Sequence, residues 1–495
     1  MNILGISTGF HDAGVAVVDY NGRILFAAHS ERYSKQKHDK YLNQQILSQA
    51  SDYGEIHKVA YYEIPWLKKT REIYAGQGFA NGSCLSAKSA LHQQGIDFSQ
   101  SISEWPHHMT HAAAGFQTSP FNEATCVVID AIGEWDTISI WDAKYDADGV
   151  AQYTKLYSRQ YPHSLGLLYS AITDYIGLRP MDEEYITMGM AGWGAPVHVE
   201  KIRKDFIQNS KNFTLKQNLH VGIPEEWFGE ATPEDLAASV QQIAEEEIAN
   251  VMSVAQRKGR SANLVYMGGV ALNCVANSKI APLWDDIWIM PNPGDCGSSL
   301  GAAALEYGKK LNWTTPYLGT EIKGPYPVGK LVKELKKNQI AGVANGRAEF
   351  GPRALGNRSL LADPRGPHIK DRVNEIKRRQ KFRPFAPVIL EEHAADYFEM
   401  PVEKSPYMQF VARVKDPESF PAITHIDGTA RVQTVGRSES GTGIRQLLEV
   451  WYRETGCPML LNTSLNIRGE PIVDTEQDAA KWTAQYSVPV FTTEL

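Results

Sequence analysis

Cysteine is scarce in this 495-residue chain. The five present (Cys84, Cys126, Cys274, Cys296 and Cys457) are odd in number and form no Cys-x-x-Cys pair. This argues against a disulfide scaffold or a thiolate-built zinc site. No apolar run approaches the ~20 residues that span a bilayer. The start, Met1-Asn2-Ile3-Leu4-Gly5, lacks the basic region and apolar core of a secretory signal. Positive charge is not in excess: 50 Lys and Arg stand against 57 Asp and Glu, a formal charge of -7. That excludes a generally basic nucleic-acid binder but leaves room for a local basic site. No low-complexity tract occurs. There is no Walker A loop and no serine elbow between a strand and a helix, so P-loop phosphoryl transfer and triad hydrolysis lose their sequence support. These absences lead to the expectation of a cytoplasmic two-domain enzyme with reduced thiols.

What is present alternates. Asn2 to Ser7, Ala13 to Asp19 and Arg23 to Ser30 read as three strands, with Asn21-Gly22 as the hairpin turn. The pattern returns about 120 residues later. Ala124 to Asp130 reads as a strand, Gly133 to Asp136 as a bend and Thr137 to Asp142 as the next strand. Two copies of strand, polar-glycine loop and hairpin point to a duplicated domain. Thr232-Pro233-Glu234-Asp235 caps a helix predicted to run to Gly259, and Asn263 to Met267 follows as a buried strand. Such alternation indicates an α/β fold. Asn312 to Pro316 and Gly324 to Pro327 interrupt both periodicities, so a domain boundary is expected near residues 311–330.

Three clusters carry chemistry. In His107-His108-Met109-Thr110-His111, His107 and His111 are four apart and share a helical face that can hold a divalent metal. His108 with His111 is a second pairing, at poorer geometry. Asp130, ending a buried strand, and Asp295, in Pro293-Gly294-Asp295-Cys296-Gly297, can complete the shell. Two histidines and two carboxylates suit iron, manganese or zinc. Next, Tyr266 to Asn273 runs a strand into Gly268-Gly269, where a backbone can approach a flat ligand such as adenosine. Finally, the segment from Arg347 to Arg383 holds eleven Lys or Arg and four Asp or Glu, a local charge of +7. Its guanidinium groups sit among Gly, Pro and Phe (Phe350-Gly351-Pro352-Arg353; Lys381-Phe382-Arg383-Pro384-Phe385), which fits a concave polyphosphate pocket better than a nucleic-acid stripe. His425 to Arg431 and Leu461 to Pro471 add further glycine turns with an arginine in each.

Together these motifs resemble the O-carbamoyltransferase family that includes the nodulation-factor, cephem and tobramycin carbamoyltransferases. The resemblance covers nearly the whole chain. Its anchors are Phe10 to Ala13, Glu31-Arg32-Tyr33 with Lys37-His38, His107 to His111, Val128 to Trp135, Pro162 to Gly166, Gly268 to Asn273, Pro293 to Gly301, Phe350 to Ser359, Arg383 to Pro387 and Leu461 to Pro471. It implies an α/β chain in two domains. Residues 1–325 would form a duplicated carbamoyl-transfer domain of the actin/Hsp70 ATPase class, and residues 326–495 a YrdC-like activation domain. By the same resemblance, ATP and carbamoyl phosphate are co-substrates that give carbamoyladenylate. A divalent metal, Fe2+ by preference, is held by His107, His111, Asp130 and Asp295.

The resemblance also places His11 beside the acceptor hydroxyl, where an unperturbed pKa of ~6.5 suits a general base, and makes Lys37 a phosphate or carbamoyl contact. Gly268, Gly269, Asn273, Arg353, Lys377, Arg383, Arg431, Asn466 and Arg468 are assigned to the nucleotide and carbamoyl phosphate, with the choice among Lys377 to Lys381 open. It leaves room for Mg2+ with ATP and for a homodimer, and it speaks against a nucleic-acid or membrane partner. The acceptor is expected to be a small hydroxylated metabolite held by loops between residues 160 and 230. One departure is Glu184 to Gly189, where relatives carry a lysine and this chain has Ile186. The competing reading is a tRNA threonylcarbamoyltransferase-like enzyme, against which the basic C-terminal region speaks.

Overall fold

The computed structural model describes residues 2–77, 86–99, 101–439 and 442–495; Met1 and Cys84 lie outside them. The alternating N-terminal segments form β1 (Asn2–Ser7), β2 (Gly14–Asp19) and β3 (Ile24–His29), followed by β4 (Ile56–Tyr61) and β5 (Ile102–Glu104). They assemble in the order β3-β2-β1-β4-β5. The β1/β2 and β2/β3 pairs are antiparallel, and β4 and β5 continue in parallel. The second copy is β6 (Glu123–Ile129), β7 (Asp136–Tyr145) and β8 (Ala151–Gln160), continued by the strands Asn263–Met267 and Asp286–Trp288. Its order and pairing senses repeat the first sheet strand for strand. The internal duplication read from the hairpins is therefore present in the topology.

The predicted helix spans Pro233–Lys258, and the Thr232 side chain accepts from Asp235 N. Helices His107–Phe116 and Ser298–Tyr307 pack backbone to backbone through small residues. A Cβ on Gly301 would stand 1.8 Å from the Thr110 carbonyl oxygen, so only glycine permits that approach.

Cα packing divides the chain into two units. One comprises Met1–Ser30 and His38–Thr314, the other Glu31–Lys37 and Thr315–Leu495. The second unit is a mixed six-stranded sheet in the order Gln433–Val435, Ala386–Leu390, Met459–Ser464, Arg358–Ala362, Ile340–Ala344, Val490–Phe491. Helices Val328–Asn338 and Gly443–Thr455 cover one face through Leu331, Leu335, Leu447 and Trp451. Ile369, Val373, Ala479 and Trp482 line the core of the other face. Among the described residues no helix is long and apolar enough to cross a membrane. Cys126, Cys274, Cys296 and Cys457 are buried free thiols.

Candidate active site

Four segments of the first unit meet at one buried cluster. Helix His107–Phe116 starts immediately after Pro106, which offers no side-chain cap. The Glu134 carboxylate takes that place, accepting from His107 N at 2.9 and 3.1 Å and from Ile64 N at 2.8 Å. An anion at a helix N-terminus satisfies orphan donors and complements the dipole. His107 and His111 then face the same side, their Nε2 atoms 3.1 Å apart. His108 points elsewhere, its Nδ1 2.8 Å from Ser139 Oγ, which resolves the two pairings in favour of His107 with His111.

Asp130 follows β6. Its Oδ1 accepts from Ala131 N at 2.8 Å and Gly269 N at 3.2 Å, leaving Oδ2 to face His107 Nε2 at 3.2 Å and His111 Nε2 at 3.3 Å. Asp295 opens the turn before helix Ser298–Tyr307, and its Oδ1 stands 3.4 Å from each Nε2. The glycine pair serves this arrangement. Gly268 has φ +91, and a Cβ there would lie 2.2 Å from the Ile129 carbonyl oxygen. The backbone thus approaches the chain's own strand, while Gly269 holds Asp130. Asn273 caps helix Cys274–Ile280, accepting from Ala276 N at 3.1 Å, and donates to Gln241 at 3.0 Å.

The donor set fits one divalent cation. Five of the six spacings among the two Nε2 and two carboxylate oxygens lie between 3.1 and 3.4 Å. Atoms so spaced at the corners of a tetrahedron stand about 2.0 Å from its centre, the bonding distance of imidazole nitrogen and carboxylate oxygen to a first-row ion. All four side chains are buried, and Asp295 Oδ1 has no hydrogen-bond partner. Burial opposes ionisation of Asp295, and Asp130 beside it does so too. His107 and His11 outweigh both and bring its carboxyl down to about 2. A buried acceptor left unpartnered is costly unless something binds it.

His11 sits in the loop between β1 and β2, its Nε2 3.9 Å from Asp295 Oδ2 and its Nδ1 3.1 Å from Asp12 Oδ2. Burial lowers its pKa, but Asp295 and Asp12 more than reverse this and raise it to about 9. That lies above the ~6.5 of a free imidazole, because two carboxylates flank the ring. Sequence reasoning passed over Glu134, which anchors the histidine helix, and Asp12, which orients His11; both lie inside motifs it had singled out. Ile186 is fully buried on helix Glu184–Met190, where a lysine would leave its ammonium without water.

The second unit gathers the basic set by strand register. Ser359 pairs with Ser464 and Ala386 with Asn462, both antiparallel, while Val388 pairs in parallel with Gln433. The starts of three strands therefore lie at the same end of the sheet as the finish of the fourth, Met459–Ser464. Arg353, Arg383 and Arg431 precede the three starts, and Asn466 and Arg468 follow the finish. Lys377 joins them. Its Nζ donates to Ser464 O at 2.5 Å, Asn466 O at 2.8 Å and Asn466 Oδ1 at 3.0 Å. Burial, then Arg379 and Arg383, push its pKa well down. Lys381 is exposed beside Glu375, so Lys377 is the buried lysine of the run. Lys37 belongs to the second unit, with its ammonium 3.0 Å from both Glu31 oxygens.

Comparison with known proteins matches these motifs as a set. Residues 2–65 and 83–304 match the carbamoyltransferase N-terminus, and residues 332–494 the carbamoyltransferase C-terminus. The nodulation protein NolNO of Sinorhizobium fredii is 31% identical over 97% of this chain and 77% of its own length. NolO of Bradyrhizobium diazoefficiens is 34% identical over 75% of each chain. An uncharacterized protein of Synechocystis sp. is 33% identical over 97% of this chain and 93% of its own. Among solved structures, the activator of the 2-hydroxyisocaproyl-CoA dehydratase from Clostridium difficile covers 62% of this chain and 94% of its own, at 13% identity and a TM-score of 0.35. A likeness that weak carries no functional argument. The sequence matches span both units and take in the histidine helix and the basic sheet end alike: the chain belongs to the carbamoyltransferase family.

Proposed function

We propose that this carbamoyltransferase makes carbamoyladenylate at the basic sheet end of the second unit, where water cleaves carbamoyl phosphate to carbamate and phosphate and the carbamate displaces pyrophosphate from ATP, and that the first unit transfers the carbamoyl group to a hydroxyl of a small metabolite with release of AMP. The observation that carries the reading is the buried His107–His111–Asp130–Asp295 cluster with His11 at its edge. Arg353, Arg383, Arg431 and Arg468 supply fixed positive charge for the ATP and carbamoyl phosphate oxygens, where guanidinium forks make bidentate contacts. Lys377 and Asn466 hold the loop that carries Arg468 in place. In the first unit His107, His111, Asp130 and Asp295 would hold one divalent ion, iron by preference. Such an ion acts as a Lewis acid on the carbamoyl or phosphate oxygen. His11 lies where it can take the acceptor hydroxyl proton, while Asp12 fixes its ring. Lys37 contributes a cation for the phosphate or carbamoyl oxygens.

The test is pyrophosphate release from ATP with and without carbamoyl phosphate. Release that requires carbamoyl phosphate, together with a product heavier by one carbamoyl group when a hydroxylated acceptor is added, supports the reading. Release indifferent to carbamoyl phosphate defeats it.

A further inference from the structure

A chain of alternating carboxylates and imidazoles runs outward from the cluster through three separate loops. His11 Nδ1 meets Asp12 Oδ2 at 3.1 Å, and Asp12 Oδ1 meets His38 Nδ1 at 2.7 Å. His38 Nε2 meets Asp182 Oδ1 at 2.6 Å, and Asp182 Oδ2 meets Arg179 Nη2 at 3.1 Å. The Arg179 side chain is 57% exposed whereas that of Asp182 is 13% exposed, so the chain ends at solvent. A carboxylate only accepts, and each nitrogen of His38 faces one.

The backbone is arranged to make this chain. Asp12, His38 and Met181, the residue before Asp182, have φ values of +52, +54 and +61. Non-glycine residues rarely adopt that region, and its cost is accepted where the surroundings demand the conformation. Three loops each carry such a residue at the point where they enter the chain. Main-chain bonds fix two of them together: Gly9 N to Lys40 O and Ala13 N to Asp39 O, both 2.8 Å. The Thr8 hydroxyl adds a bond to Lys40 O at 2.9 Å.

We propose that His38 and Asp182 are positioning residues for His11, acting through Asp12. The proposal rests on the reading above, in which His11 works beside the acceptor hydroxyl. Both oxygens of Asp12 are engaged by different rings, which restrains its carboxylate. The Nδ1–H of His11 is then held on Asp12, and Nε2 is left facing the cluster. Fixing the second nitrogen of a working histidine sets its tautomer and ring orientation. A plain inter-loop ion pair would also join these segments, but it would leave the state of the His11 ring unaffected.

The test uses the full chain labelled with 15N-histidine and loaded with Zn2+, with His11 assigned through His11→Gln. In the unmodified protein the ring shifts of His11 should report a single, fixed ring state with Nδ1 protonated. At equal Zn2+ content, His38→Gln and Asp182→Asn should move both nitrogens to averaged values, and Asp182→Glu should restore them. In parallel, release of AMP from supplied carbamoyladenylate, with water as acceptor, should fall at least about ten-fold in kcat at unchanged KM. Unchanged His11 shifts in both variants overturn the proposal, as does a rise in KM at constant kcat. A normal rate in His11→Ala defeats the functional reading instead, and the 15N shifts still judge the positioning.

Discussion

His107, His111, Asp130 and Asp295 bring four ligand atoms within 4.8 Å of one another in a buried setting. Removing one leaves three ligands, and even the loss of groups that merely orient ligands weakens metal affinity about 10–100-fold. His107→Ala should therefore be isolated with well under one equivalent of metal, measured by elemental analysis; a full equivalent would break the assignment. Lys377 is a different case. The family resemblance assigns it to the carbamoyl phosphate and ATP site, and its Nζ donates to Ser464 and Asn466. Hydrogen bonds to charged groups are worth about 1.5–3 kcal/mol each, so Lys377→Ala should release the loop that carries Arg468. Pyrophosphate formation should drop by roughly one to two orders of magnitude or more, and Lys377→Arg should fail to restore it because a guanidinium does not fit a pocket shaped for an ammonium. Sequence spacing pointed to the His107–His111 pair because an i, i+4 pair is a local fact of a helix. The partners of Lys377 are 87 and 89 residues away, and no local pattern encodes them.

Helix His107–Phe116 is held at its start by Glu134, a residue of the bend after β6, rather than by a cap of its own. Glu134→Gln should loosen the first turn, cost about 1–2 kcal/mol of stability and lower metal affinity through His107. Thermal unfolding and metal titration check both effects. At the strand end that buttresses Asp130, Gly268→Ala sets a Cβ against the Ile129 carbonyl at φ +91. That change should destabilise the first unit and reduce metal binding together. In the second unit, helix Gly443–Thr455 is tied to the sheet by Arg445 on Glu392, at 2.7 and 2.8 Å. The hydrogen bonds from Arg445, against modest desolvation, lower the Glu392 carboxyl to about 2. A carboxyl lowered on folding stabilises above its ordinary value near 4.5 and loses that contribution as pH falls toward 2. The gap in melting temperature between the unmodified chain and Glu392→Gln should therefore close over that window. The strand and helix elements were legible because period two, the Thr232 cap and the Asn21-Gly22 turn act locally. The cap from Glu134 was not legible, because it crosses from one element to another.

At the scale of the molecule, the His107–His111–Asp130–Asp295 cluster falls in one unit and the basic sheet end in the other, so variants of the two should fail at different steps. Arg353→Ala should make no carbamoyladenylate yet still release AMP from carbamoyladenylate supplied ready-made. His107→Ala should release pyrophosphate normally and transfer nothing. Equal loss of adenylate formation in both, without rescue by added adenylate, would show that the two sites do not divide the work. The sequence by itself determined the duplicated α/β plan, the family and the residue types at each site. Periodicity, caps and turns depend on neighbours along the chain, and ordered motifs survive where the chemistry depends on them. Only the tertiary structure decided which atoms share a centre. It joined Asp130, Asp295 and the histidine pair across 188 residues, from His107 to Asp295. It brought the starts of three strands and the finish of a fourth to one end of a sheet. It also linked His11 to Asp182 through Asp12 and His38. The physical reason is that hydrogen bonds and coordination depend on distances of about 2–3 Å between atoms far apart in sequence, and only packing and strand register set those distances.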